Sequence, residues 1–569
     1  MASIEGKRTL FFVTSPRSPL KMVDEIRLLV EHHEGQEWTE STQTEFAKEL
    51  AASDSFEGYG SATLSDFSAR DRIGRGPKSL GLLDLKPVIR LTPAGRAFID
   101  GEHPRQAFLR QLMKFQLPSP YHVDPSGAFC VRPYLELLRM THDLGGLSKH
   151  EIALFFMQLT DFSEYDTIMS KIAAFRLARQ NGTRSESWRT RVDTLASSEM
   201  ARLYQDQVAA GNFHTRQSPT SSPEQFLRKK WRNQVDYADA AMRYLRATEL
   251  VAVEHSTYRI VIAPGRESEV DYILRTVPRA PVTMSESEYK DYLFDDTRPS
   301  LLVDSRAFLV ESIRHMSHGE VADGSLDALD DIQLRRLWDE TLDAKRDAEL
   351  ERQMQRLSLL EEVGDVQSTF RDIISRSALD IPLTMEWNVW RAMAALDRGR
   401  IRGNFVMDTN GEPISTASGG KPDIVCEYGA FDLVVEVTTS FGMRQFEAEH
   451  ESVPRHIGDH ARSSGRDTYG LFVAVRLTPA TIAYFYTLRS QYVDLYGGHC
   501  RILPIGLDDF VSLFDRVVAA RNRPGAADIR RLVEETTDLA LQPSGEGVWY
   551  RQVRELLKRW PDRQPRPDA

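Results

Sequence analysis

Four carboxylates crowd one short stretch of the chain, GGKPDIVCEYGAFDLVVEVTTS, residues 419–440. Two apolar runs flank a Tyr-Gly-Ala-Phe segment, and Gly429 at the first central position of a two-residue loop suits the type II′ turn of a hairpin. Centring the turn there sets Asp423 opposite Glu436, and Glu427 opposite Asp432. Opposed side chains on one sheet face stand about 4.5–5.5 Å apart at Cβ, where like charges repel. Asp423 and Glu436 held that way call for a cation. A hard, oxygen-seeking ion such as Mg2+ suits them, since it accepts one or two carboxylates and keeps waters for chemistry. Glu427 and Asp432 fall at the hairpin tip, where water is expected to screen them. An exposed, solvated strand edge is the plain alternative for Asp423 and Glu436, and spacing alone does not separate the two.

The elements around the hairpin follow from periodicity. TMEWNVWRAMAAL predicts a helix before it, and MRQFEAEHESVPRHIGDHA a largely helical segment after it, interrupted by Pro454. YGLFVAVRL reads as a strand buried on both faces, RILPIG as a further strand and LDDFVSLFDRVVAA as a closing helix. The expectation for residues 381–569 is therefore an α/β core around a mixed sheet. His456 and His460 have the i, i+4 spacing of zinc ligands, but no suitable third ligand is apparent and a surface pair is the simpler reading. Arg455 and His456 receive no role from the sequence.

Basic residues concentrate near the N-terminus. Between Ser65 and Arg90 there are six Lys or Arg against three Asp. Ser68 can cap a helix over ARDRI, with Gly74, Gly76 and Pro77 breaking it and Pro77 opening the next. VIRL then gives a short strand, and TPAGRAFI a helix with Thr92 as cap. Helix, helix, strand suits a winged helix over 1–119, with Arg70, Arg72, Arg75 and Lys78 as candidate phosphate or base contacts; a solvated helix face is the competing reading. A second winged unit is expected over 120–276. Ser148 and Glu151 form a capping-box pattern, and YADAAMRYLRATELVAVEHSTYRIVIA reads as helix, strand, turn, strand. The basic helix start FLRKKWRNQ, with Lys229, Lys230, Trp231 and Arg232, suits either a phosphate backbone or a plain surface. Residues 277–380 are acidic, charge-mixed and helical, as a connector would be. The ending RWPDRQPRPDA reads as disordered.

Bulk properties exclude little else. The 569 residues carry a net charge of −11, which does not advertise a nucleic-acid binder, although a local basic patch suffices for phosphate contacts. Three cysteines without CxxC spacing indicate a reducing, cytoplasmic setting, and no long apolar run suggests a signal peptide or membrane span. GRGPKS and SGGKPD both miss the phosphate-loop pattern, and neither a GxSxG elbow nor a kinase motif set occurs.

Several spaced motifs together resemble the AlwI family of type IIS restriction endonucleases, which includes site-specific nicking enzymes. They are TSPRSP (14–19), FSARDRIGRGPKSLG (67–81), PLTMEWNVWRAM, KPDIV, EVTTS and EHESVPRH (449–456). Pro422-Asp423, the later Glu436 and an upstream Glu386 are similar to the PD-(D/E)XK nuclease core. That core ordinarily has a lysine where this chain has Thr438, and the resemblance implies that Glu449 takes part instead. It further implies Asp423, Glu436 and the Val437 carbonyl as metal ligands, with Glu386 and Glu449 as supporting carboxylates in Mg2+-assisted phosphodiester hydrolysis by one or two ions. Arg17 joins the expected DNA contacts, and arginine–guanine readout is anticipated. The partners implied are double-stranded DNA, a second copy or small subunit for two-strand cutting, and a DNA methyltransferase. The alternatives are a strand-specific nicking enzyme or the large subunit of a heterodimeric enzyme, and a DNA-binding regulator with an inactive nuclease-like domain, which Thr438 keeps in view.

Overall fold

Capping residues set helix starts in the N-terminal half. After α1 (Met22–His33) and α2 (Asp66–Arg75), the antiparallel pair β1 (Leu83–Asp84) and β2 (Arg90–Leu91) leads into α3 (Pro93–Ile99). Thr92 caps α3 as expected: its Oγ1 accepts from the Gly95 amide at 2.9 Å and donates to the Gly81 carbonyl at 2.6 Å. Glycine is required at position 95, because a Cβ there would stand 2.0 Å from the Leu82 carbonyl oxygen. Ser68, by contrast, is no cap. Helix α2 already begins at Asp66, runs through Gly74, and gives way to a turn at Pro77 rather than to a second helix. The cost of one helical glycine is only about 1 kcal/mol, and burial of Ile73 outweighs it.

This is a computed structural model, and it describes residues 2–53, 66–101, 103–180, 188–213, 222–317, 323–396, 399–417, 420–520, 523–542 and 544–560. The loop expected at 216–225 and the ending expected to be disordered fall largely outside those residues. Further along, α4 (Pro133–Asp143), β3 (Leu147–Ser148) and α5 (Lys149–Leu154) follow, with the Ser148–Glu151 capping box in place. The long α6 (Pro223–Arg246), capped by Ser222, precedes β4 (Val251–Glu254) and β5 (Arg259–Ile262). Strand β5 pairs antiparallel with both others, in the order β3-β5-β4.

Two compact units result: residues 1–43 with 67–341, and 44–66 with 342–569. The two N-terminal domains expected from the sequence lie in one unit, and the stretch 277–380 is divided between the two. Its first part is no solvated connector. Asp304 accepts two hydrogen bonds from Arg110, at 2.7 and 2.9 Å, and the buried Lys114 amine, pushed down to about 7 by burial, donates to the Leu293 carbonyl.

In the second unit, α7 (Ile381–Leu396) packs beside a five-stranded mixed sheet. Its strands are β6 (Arg400–Gly403), β7 (Ile424–Glu427), β8 (Phe431–Thr438), β9 (Asp467–Ala474) and β10 (Ile502–Gly506), in the order β10-β9-β8-β7-β6. The β6, β7 and β8 ladders are antiparallel, while β8, β9 and β10 run parallel. Between β8 and β9 runs α8 (Met443–Ser464), a continuous 22-residue helix. Pro454 does not interrupt it, since one missing backbone donor is outweighed by the packing of this helix on β8 and β9. Helix α9 (Leu507–Ala520) follows β10 as expected. Among the described residues, no helix is long and apolar enough to cross a membrane.

Helix α8 passes close to the backbone at Gly458, where a Cβ would stand 2.6 Å from the Tyr496 carbonyl carbon. Gly458→Ala is expected to destabilise the second unit by about 1–3 kcal/mol, as overpacking against backbone does. Urea denaturation of the variant against the parent chain checks this.

Candidate active site and cationic cleft

The hairpin has the register read from the turn. Ile424 pairs with Val435, Val425 with Val434, Cys426 with Leu433 and Glu427 with Asp432, so Asp423 is carried across from Glu436. Gly429 takes the positive φ (81°) that the turn demands. Asp423 is anchored directly to the opposite strand, its Oδ2 accepting from the Val437 amide at 2.8 Å. Because β-strand side chains alternate, Asp423 and Glu427 share one face with Asp432 and Glu436.

Helix α8 covers that face. His456 Nδ1 donates to Glu436 Oε1 at 2.8 Å, and His460 Nε2 donates to Asp432 Oδ2 at 2.8 Å. The histidines are therefore not a surface pair: each is spent on a separate carboxylate of β8. Burial pushes the His456 imidazole below its ordinary value and Arg455 adds to this, while Asp459, Glu451 and Glu449 pull the other way. Its Nε2 is buried without a hydrogen-bond partner. Asp432 also departs from expectation. It is fully buried rather than screened by water at the tip, and Arg466 Nε donates to the same oxygen at 2.9 Å. The reason is the length of α8, which covers the face down to the turn and brings His460 over Asp432, with Arg466 following just past the helix end. Glu427 is only half-buried, and Arg400 and Arg402 lie 3.8 and 3.6 Å away.

Glu449 lies on the stripe of α8 that contains Val453, His456 and His460, and Glu386 is buried on α7. Both helices pack against β8. Asp423, Glu436 and His456 are thus joined through β8 by hydrogen bonds, Glu449 lies near enough to act on His456, and Glu386 is carried by a helix packed on the same strand. Among the described residues no three His, Cys, Asp or Glu side chains form a closed metal cage. Two opposed carboxylates with the neighbouring Val437 main chain nonetheless make an all-oxygen donor set, which fits a hard ion that retains waters and does not fit zinc.

The first unit contains a cleft of about 940 Å3. Arg17, Arg75 and Lys78 line it, joined by Lys7, Lys229 and Lys230. Their charges are felt mutually: the Lys7 amine is pushed below its ordinary value by burial, then by Lys230 and Arg75. Lys230 is shifted likewise by burial, Arg8 and Lys229. Aromatic rings are interleaved, with the Lys78 amine 5.0 Å from the Tyr121 ring centroid. The TSPRSP segment reaches the cleft because α6 holds it: Arg243 Nε donates to the Arg17 carbonyl at 3.0 Å, and the Tyr244 hydroxyl to the Pro16 carbonyl at 3.3 Å. Arg70 and Arg72 are not among the cleft residues. Arg72 turns inward to an ion pair with the buried Glu25, and Arg70 lies 3.8 Å from Asp71. Lys7 was not singled out by the sequence, since an isolated lysine near a terminus carries no local signal.

Residues 79–513 match the family model of the AlwI restriction endonuclease. The chain belongs to that family. No curated protein sequence matches it. Among solved structures, the small subunit of the heterodimeric restriction endonuclease R.BspD6I is similar at 20% identity and a TM-score of 0.29, over 34% of this chain and 98% of that one. The BpuJ1 endonuclease binding domain, solved in complex with pyrene- and phenanthrene-modified DNA, is similar at 14% identity and a TM-score of 0.30, over 51% of this chain and 97% of that one. Family membership makes the chain a restriction endonuclease, and so a DNA-binding and DNA-cutting protein.

Arg72 and Arg75, three residues apart, should separate by experiment. Arg72→Ala leaves the Glu25 carboxyl buried beside no direct cation and is expected to cost about 3 kcal/mol. Arg75→Ala removes only a partly exposed pair with Asp71 and should change stability by less than about 1 kcal/mol. Parallel denaturant titrations of both variants read the difference.

Proposed function

We propose that this chain is a type IIS restriction endonuclease. On this reading the first unit binds a short asymmetric DNA sequence, and the second hydrolyses a phosphodiester a few base pairs downstream with Mg2+. The observation that carries the reading is the register that sets Asp423 across from Glu436, under α8, in a chain of the AlwI family. The mixed sheet with α7 and α8 packed on β8 supports a PD-(D/E)XK core. The strand order β3-β5-β4 behind α6 supports a winged-helix unit.

Asp423, Glu436 and the Val437 carbonyl are the residues that would hold Mg2+. When bound, the ion supplies Lewis-acid stabilisation of the charge that develops on the phosphate and lowers the pKa of water. The Val437 amide orients the Asp423 carboxylate, and His456 orients that of Glu436 from the opposite side. Glu449 stands in for the lysine absent at Thr438, orienting the attacking water and accepting its proton, while Glu386 supports the centre as a further carboxylate. In the cleft, Arg17, Arg75, Lys78, Lys229 and Lys230 neutralise backbone phosphates, the sequence-independent part of affinity.

One chain carries one such centre and cuts one strand. Cutting both strands requires a second copy or a partner subunit. A cytoplasmic DNA methyltransferase protecting host sites is the functional partner this reading implies.

Digestion of supercoiled plasmid with Mg2+, followed by sequencing of the broken ends, tests the proposal. Breaks at a fixed offset from one short motif are expected, and an intact plasmid over varied salt and enzyme concentration refutes it. Asp423→Ala is expected to abolish cleavage while retaining DNA binding. His456→Ala should lower the rate about 10- to 100-fold and raise the Mg2+ requirement, as loss of a group that orients a metal ligand does.

A further inference from the structure

Helix α6 turns one face to the cleft, and that face is not uniformly basic. Lys229, Lys230, Asn233, Asp236 and Tyr237 line it at the spacing of successive helical turns. A carboxylate among phosphate-binding cations opposes binding of a polyanion unless it meets a hydrogen-bond donor. The nearby Asp239 is already committed, paired with Arg243 and within 4.0 Å of Arg17 and Lys149. Asp236 is not. Neither it nor Asn233 takes part in a hydrogen bond or ion pair among the described residues, and both are exposed. Partial desolvation in the cleft pushes the Asp236 carboxyl above its ordinary value, against the pull of Arg243, Lys149, Arg17 and Arg232.

Resting on the DNA-binding part of the proposed function, we infer that α6 enters the major groove and that Asn233 and Asp236 read base edges there. The groove is about 12 Å wide, the diameter of an α-helix with its side chains. Three residues of helix rise about 4.5 Å, so side chains at 233 and 236 reach neighbouring base pairs, stacked about 3.4 Å apart. Chemistry then selects the bases. A carboxylate only accepts, and its donor partner on a base edge is the cytosine N4 amine. A carboxamide both donates and accepts, which matches adenine N6 and N7. Lys229 and Lys230, one turn earlier, contact the backbone and fix the register. The recognised sequence accordingly contains a cytosine read by Asp236 close to an adenine read by Asn233, in addition to whatever arginines read.

The experiment is selection of bound duplexes from a random-sequence pool, without divalent ion, by the full-length chain and by Asp236→Ala, Asn233→Ala and Lys229→Ala. The parent chain is expected to return one motif. Asp236→Ala should lose on the order of tenfold or more discrimination at one position, a cytosine, and Asn233→Ala as much at a nearby adenine. Lys229→Ala should keep the motif, bind more weakly throughout and reduce the salt slope by about 1. A parent motif that both Asp236→Ala and Asn233→Ala select unchanged, even with uniformly weaker binding, overturns this inference and leaves the DNA-binding reading standing. Absence of any motif from the parent chain overturns that reading, and this inference with it.

Discussion

Two imidazole–carboxylate bonds hold α8 against β8, and the geometry of the candidate active site depends on them. His456 reaches Glu436, and His460 reaches Asp432. The later histidine meets the earlier carboxylate, so α8 runs opposite to β8, and because four residues advance about 6 Å along a helix and about 13 Å along a strand, the two pairs converge through their side chains. That direction carries Glu449, two turns before His456, toward the end of β8 where Thr438 lies. The notch for Gly458 against Tyr496 secures the outer side of the same helix. A slip of either element by one residue would break both imidazole bonds to these buried carboxylates, a cost of several kcal/mol.

The same economy of charge runs through both units. Acids in the walls of the cleft are given cationic partners, while further cations gather along its lining. Glu25 takes Arg72 and Asp239 takes Arg243, so those arginines support the walls of the cleft. The cations that line the cleft lie close enough to depress one another, and gathering them costs stability by itself. A net charge of −11 is consistent with this arrangement, because the excess acid lies elsewhere on the chain.

Local signals in the sequence were legible where one residue decides the geometry. The Thr92 cap, the Ser148–Glu151 box and the Gly429 turn all stand as read, and from that turn followed the register that aligns Asp423 with Glu436. Errors arose where a distant element supplies the partner. Nothing within the hairpin announces that a helix thirty residues on will bury Asp432, nor does the spacing of His456 and His460 say that each has its own carboxylate. Arg72 and Arg75 sit in one basic run, yet one helix turns Arg72 toward Glu25 and Arg75 toward the cleft. Helical phase within a run of like charges cannot be read without knowing which side the core occupies.

Thr438 can now be placed physically. It shares the face of β8 with Glu436, is buried, and accepts a hydrogen bond from the Ser440 amide at 3.1 Å, which stabilises the backbone turn leaving the strand. A lysine at that position would carry its charge from the strand into the space beneath α8. There, burial already disfavours protonation of His456, and the nearby Arg455 adds to the effect. In the proposed mechanism Glu449 occupies the same neighbourhood from the helix side. Placing the group on α8 leaves its position to the two imidazole bonds rather than to the strand. On that mechanism the threonine removes a charge without removing a function, provided that those two bonds keep the helix in register.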